Sequence, residues 1–173
     1  MHWLDVFLYC PRCGSPRFTV NSEKSKRCEE CGFEFFMNAS AAYVALITDA
    51  DGRLLVARRA KEPAKGTLDL PGGFADPSET AEEGVRREVK EETGLRIEQA
   101  DYLFSLPNVY TYSGLRIPTQ DLFFRCAVSD FSGMKPMDDA CELLWMAAEE
   151  LRPEEFGLAS IRRGVERWLA MQR

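Results

Sequence analysis

Residues 42–48 (AYVALIT) form an apolar run that predicts a strand. Asp49-Ala50-Asp51-Gly52 predicts a turn, and residues 53–57 return as a second strand, the two forming a hairpin. Residues 68–70 lead into Pro71-Gly72-Gly73, after which a helical pattern runs to Thr93 and is closed by Gly94 at the C′ position. Further strand-like runs fall at 102–106, 121–128 and 142–146. Residues 159–171 (ASIRRGVERWLAM) carry apolar positions at helical spacing and predict a C-terminal helix packed on the sheet. Ahead of all this, residues 18–20 and 33–36 read as two short strands in a segment of different composition. The chain contains no internal repeat and no low-complexity tract, so the order implies mixed α and β structure on one core behind a small appendage.

The middle helix has an unusual polar pattern. Asp76-Pro77-Ser78-Glu79 offers an N-cap, a proline at N1 and an acid at N3, while Thr80 with Glu83 offers a competing start. Ala81, Val85 and Val89 recur at i, i+4 and i+8 and predict the buried stripe. Glu88 and Glu92 continue that face and Glu91 flanks it. Like-charged pairs at these spacings each cost roughly 0.2–0.5 kcal/mol. A solvated acidic face is the ordinary reading, but a plain surface would alternate signs. Acids clustered beside a buried stripe call for a compensating cation, and oxygen donors alone select Mg²⁺ or Mn²⁺. Arg87 is placed to pin one carboxylate by a bidentate ion pair.

Cysteine spacing sets the reading of the first segment, residues 1–38. Cys10-Pro-Arg-Cys13-Gly and Cys28-Glu-Glu-Cys31-Gly are two CxxC knuckles, each followed by glycine, and predict a closed four-thiolate site for structural Zn²⁺. Two disulfides are one competing reading; a redox CxxC is another, which paired knuckles fit poorly. The N-terminus MHWLDVFLYC opposes disulfides, because Asp5 comes early and no basic stretch precedes the apolar residues of a signal peptide. A cytoplasmic protein is expected. Cys126 and Cys141 sit in apolar runs and are expected to be buried core thiols.

The net charge of −6 argues against nucleic acid and against an anionic membrane as partners. The first segment matches five basic residues with five acids, so its ribbon reads as a structural or interface module. His2 is the one histidine, which removes a Ser-His-Asp triad and a histidine-held catalytic zinc. Chemistry must then run on carboxylates and a metal held by oxygen.

The order Gly73, Glu79, Arg87-Glu88-Val89, Glu91-Glu92, Gly94-Leu95 resembles the Nudix hydrolase box at nine restricted positions over 23 residues. The resemblance implies an α/β/α sandwich with a mixed sheet over residues 39–173, following the zinc ribbon. It implies a Mg²⁺- or Mn²⁺-dependent pyrophosphohydrolase acting on a nucleoside diphosphate linked to X. On that resemblance Glu88, Glu91 and Glu92 are metal ligands, the Gly73 carbonyl is a further ligand, and Glu79 and Arg87 orient them. The family also uses a glutamate six positions before a tryptophan. Here Asp139 stands there, before Trp145, with Glu142 or Asp138 as substitutes and a solvated turn as the alternative.

A four-cysteine ribbon ahead of such a domain resembles the NADH pyrophosphatase branch. That branch's second motif, Ser-Gln-Pro-Trp-Pro-Phe-Pro, meets Ser105-Leu106-Pro107-Asn108-Val109-Tyr110-Thr111-Tyr112 here, so only the serine and one proline match. NADH, a related dinucleotide or an ADP-ribose-like compound is the implied substrate. Phe74, Ser105, Tyr110 and Tyr112 are the candidate substrate contacts, the aromatic ones by base stacking. The family also implies a homodimer. The competing function is a nucleotide sensor without turnover, against which the intact box argues.

Overall fold

The computed structural model describes residues 2–172. The chain separates into two compact units. One holds the chain up to Ala39 together with Val109–Pro118; the other holds Ser40–Asn108 and the chain from Thr119 onward.

The first unit is built on a small antiparallel sheet of β1 (Phe18–Ser22), β2 (Ser25–Cys28) and β3 (Glu34–Phe36), in the order β1-β2-β3. Its buried apolar residues are Leu4 and a cluster of Cys10, Phe18 and Cys28 flanked by Cys31 and Phe33. So small a core cannot offset the chain entropy of the segment by burial alone.

In the second unit, β4 (Ser40–Ile47) lies between β7 (Gly72–Phe74) and β9 (Leu115–Ala127), with β8 (Gln99–Tyr112) on the far side of β9. The β4–β9 pair is parallel and the β4–β7 pair antiparallel, so the sheet is mixed. A second sheet has the order β10-β5-β6, from β10 (Ala140–Met146), β5 (Leu54–Arg59) and β6 (Leu68–Asp69). Alternation along the strands makes the layers. Val44 and Leu46 of β4, Val56 of β5 and Phe123 of β9 join Ile161, Val165 and Trp168 of α2 (Ala159–Met171) in one core. Tyr43, Ala45, Ile47, Leu55 and Phe124, one residue out of step, join Val85 and Val89 of α1 (Ala81–Thr93) in the other. The strands are therefore covered on both faces, the expected α/β/α sandwich.

Three sequence expectations change. The hairpin of β4 and β5 does not form. The two strands share one bridge, Thr48–Leu54, and then enter different sheets, because β4 uses its edges on β7 and β9 while β5 uses its own on β10 and β6. Cys141 is exposed, not buried. The β10–β5 ladder shifts between Ala140 and Glu142, and Cys141 is the extra residue of that bulge, its thiol donating to the Arg58 carbonyl at 3.4 Å. Cys126 is buried as expected. Of the two helix starts, Thr80 is the N-cap: its hydroxyl accepts from Glu83 N at 3.2 Å and Glu83 returns a bond to Thr80 N at 2.8 Å. The β8–β9 strands run well beyond the expected 102–106 and 121–128, to a two-residue turn at Ser113-Gly114 with φ of 50° and 76°. Both positive values mark a primed turn, the kind that matches strand twist.

Candidate active site

Arg87 is the hub of the α1 acids. Its Nε and Nη2 grip both oxygens of Glu79 at 3.0 and 2.8 Å, a bidentate fork. Its Nη1 reaches Glu88 at 2.8 Å and Glu91 at 3.1 Å, and Nη2 also donates to the Phe74 carbonyl at 3.0 Å. Glu79 accepts from Asp76 N at 2.7 Å, which ties the loop before the helix into the same network. The Arg87 guanidinium holds the Glu79 carboxyl below the usual carboxylate range. Glu79 and Arg87 thus grip each other across the helix start, eight positions apart in sequence.

The glycines permit this closeness. A Cβ on Gly73 would fall 2.5 Å from the Glu88 carboxyl carbon, so only glycine lets the loop lie against that acid. Gly72 has φ of 154°, a Cβ there would collide with the Tyr43 carbonyl, and its N–H donates to Glu92 Oε2 at 2.9 Å. Glu88 and Glu92 therefore line the Gly72–Gly73 loop, while Glu91 is half exposed at the rim. Burial pushes the Glu92 carboxyl up to about 8, and Asp69, Glu88 and Asp139 add repulsion against the opposing Gly72 N–H. Burial also raises Glu88, with Arg87 opposing.

Asp139 belongs to this negative field. Its Oδ1 lies 2.5 Å from Lys61 Nζ and is buried with no hydrogen-bond partner beyond that ion pair among the described residues. Lys61 also meets Asp138 at 3.0 Å. Glu142 is committed elsewhere, at 2.8 Å from Arg58 Nε. Buried Asp69 was missed by the sequence reading. It pairs with Arg59 on the adjacent strand and accepts from Leu70 N at 2.8 Å. Burial raises its carboxyl, with Arg59 opposing. An acid inside the apolar Leu68-Asp69-Leu70 run was the available signal. A second buried acid, Asp121, is held by Thr119 at 2.6 Å, by Ser160 and by Asn108 at 3.3 Å.

The candidate substrate contacts divide between the units. Phe74 is partly exposed and Ser105 accepts from Gln120 at 3.1 Å in the second unit, while Tyr110 and the exposed Tyr112 belong to the first.

In the first unit, the Sγ atoms of Cys10, Cys13, Cys28 and Cys31 all lie within 4.8 Å of one another. The two knuckles share one geometry. Gly14 and Gly32, at φ of 73° and 72°, donate to the Cys10 and Cys28 carbonyls. Cys10 and Cys28 in turn donate to the Ser15 and Phe33 carbonyls. The Cys31 N–H, with that of Glu30 assisting, draws the Cys28 thiol down to about 6, favouring the thiolate that a metal needs.

A profile of the NUDIX domain matches residues 37–169. The chain belongs to the Nudix family. Among similar proteins, the NAD-capped RNA hydrolase NudC of Deinococcus radiodurans is 33% identical over 108 residues, 61% of this chain and 38% of its own length. The human mitochondrial NAD(P)H pyrophosphatase NUDT13 is 35% identical over 106 residues, 61% of this chain and 29% of its own. The NAD-capped RNA hydrolase NudC of Pseudomonas entomophila is 25% identical over 168 residues, 97% of this chain and 58% of its own. This Nudix chain thus spans less than two thirds of the length of those relatives. Its fold matches a NUDIX hydrolase from Nitrosomonas europaea with a TM-score of 0.75 at 21% identity, covering 95% of this chain and 91% of the other.

Proposed function

We propose that the chain is a divalent-cation-dependent Nudix pyrophosphohydrolase, cleaving a nucleoside diphosphate linked to X, with NADH or a related dinucleotide as substrate. The observation that carries this reading is the convergence of Glu88 and Glu92 on the Gly72–Gly73 loop, with Arg87 holding Glu88. The donor set fits Mg²⁺ or Mn²⁺, being all oxygen, and Asp139, whose Oδ1 is paired with Lys61, stands beside it. Glu88, Glu91, Glu92 and the Gly73 carbonyl would hold the metal, with Asp139 beside them. Such a metal supplies charge neutralisation at the pyrophosphate and acidifies an attacking water. Arg87 and Glu79 keep the carboxylates aimed. One acid of the set takes the proton of the water, and Arg87 limits the repulsion left on the helix. Cys10, Cys13, Cys28 and Cys31 would hold a structural Zn²⁺. Residues 1–38 and 39–173 serve as ribbon and catalytic domain, with Phe74, Ser105, Tyr110 and Tyr112 at the substrate. The reading also takes the chain as cytoplasmic and homodimeric; among the described residues no helix is long and apolar enough to cross a membrane.

The names of the relatives favour a second form of the same substrate, the dinucleotide at the 5′ end of an RNA. A panel of NADH, NAD⁺, FAD, ADP-ribose, diadenosine polyphosphates, nucleoside triphosphates and NAD-capped RNA, with Mg²⁺ and with Mn²⁺, tests both. AMP and reduced nicotinamide mononucleotide from NADH are the expected products. Turnover of none of them would overturn the hydrolase reading in favour of a sensor.

Proton competition gives a further expectation. Glu92 keeps its proton up to about 8, and a metal must displace it. The Mg²⁺ concentration for half-maximal activity should therefore fall as pH rises, approaching about tenfold per pH unit below that value. A pH-independent Mg²⁺ requirement between 6.5 and 8.5 would remove Glu92 from the ligand set.

A further inference from the structure

Alongside the acid ridge, α1 carries a cationic flank. Arg86, Arg87, Lys90 and Arg96 line one groove of about 590 Å³ together with Glu91, over a floor of Ile97 and Met137. Four cations against one acid is a local reversal in a chain of net charge −6. Arg87 is committed to its carboxylates, but Arg86, Lys90 and Arg96 have no ion-pair partner among the described residues. Arg86 donates only to backbone carbonyls, those of Glu82 at 3.0 Å and Glu98 at 3.4 Å. Leaving three cations together is unfavourable by the same like-charge repulsion that marked the acids. Lys90 and Arg86 stand one helical turn apart, and Arg96 follows just past the Gly94 cap, so the positive charges form a stripe. The groove begins at Arg87 and Glu91, the outermost residues of the proposed metal site.

We infer that this groove binds the phosphodiester backbone of a polynucleotide whose 5′ end occupies the metal site, through Arg86, Lys90 and Arg96. The inference rests on the pyrophosphohydrolase reading and names the part of the substrate beyond the dinucleotide. A free dinucleotide has no phosphate to spare for a stripe on the outer flank of the helix, whereas an RNA chain continuing from the cap presents one at every residue. The acidic whole-chain charge, which argued against nucleic acid, averages over this stripe; contact is decided by local cations.

The test compares the zinc-loaded full chain with Arg86→Gln/Lys90→Gln/Arg96→Gln, and with Lys90→Gln/Arg96→Gln in case loss of Arg86 disturbs the helix. The first measurement is fluorescence anisotropy of a labelled single-stranded RNA oligonucleotide without Mg²⁺. Three phosphate contacts predict a salt slope of about −2, so wild-type affinity should fall about 16-fold between about 50 and 200 mM salt. The triple variant should bind at least about tenfold more weakly and lose that slope. The second measurement is hydrolysis. The variant should raise KM for NAD-capped RNA by a similar factor and leave kcat/KM for NADH within about twofold. Equal RNA affinity in variant and wild type, or no RNA binding by wild type, would overturn the groove assignment while leaving the hydrolase reading intact. Failure of wild type to hydrolyse either substrate would sink the hydrolase reading, and anisotropy would still decide the groove.

Discussion

Replacing Glu91 and Glu92 together by glutamine is expected to lower kcat by about three orders of magnitude or more, since metal stabilisation of the transition state is worth several kcal/mol. The fold should survive. Glu92 is held protonated up to about 8, so a neutral amide of the same shape resembles the acid already present near pH 7, and its oxygen can still accept from Gly72 N. Glu91 is half exposed, and its loss leaves Arg87 with Glu79, Glu88 and the Phe74 carbonyl. Steady-state rates on the best substrate, paired with urea unfolding, separate the two effects. Full Mg²⁺-dependent activity in the double variant would mean the metal lies elsewhere.

The second large effect concerns the ribbon. Zinc removal, or Cys28→Ser, should unfold it. Binding to a structural four-ligand site is worth about 10–16 kcal/mol at neutral pH in isolated fingers, far more than a core of Leu4, Cys10, Phe18 and Cys28 can supply. Hydrogen exchange reads the outcome by segment. Protection in β1, β2 and β3 should vanish, while α1 and α2, with their own cores, keep theirs. Elemental analysis of fresh protein should give about one zinc per chain. Retained protection after chelation, or no zinc in unchelated protein, would sink the assignment.

What could be read in the sequence was whatever local spacing encodes. The doubled CxxC-Gly knuckles and the α1 acids with Arg87 follow from residue types a few positions apart; the four cysteines come together, and Arg87 meets Glu79, Glu88 and Glu91 while Glu92 turns to Gly72. Long-range pairing was not legible. The apolar runs of β4 and β5 look alike in a hairpin or in separate sheets, and only their other neighbours decide. Cys141 looked buried because a bulge cannot be read from an apolar run. The Arg59–Asp69 pair was invisible for the same reason: its partners meet through the β5–β6 ladder, and Arg59 carries no pattern of its own.

The long β8–β9 hairpin carries Val109–Pro118 into the first unit, where the Arg116 guanidinium lies 5.1 Å from the Trp3 ring centre. The chain therefore passes between the units three times, not once. During synthesis all four cysteines have emerged by Cys31, yet the unit they belong to is incomplete until Pro118 follows. The ribbon can take its metal early, but its final packing must wait for most of the second unit to be made, and a protein severed between Ala39 and Ser40 would leave the first unit without Val109–Pro118, which would stay on the other piece.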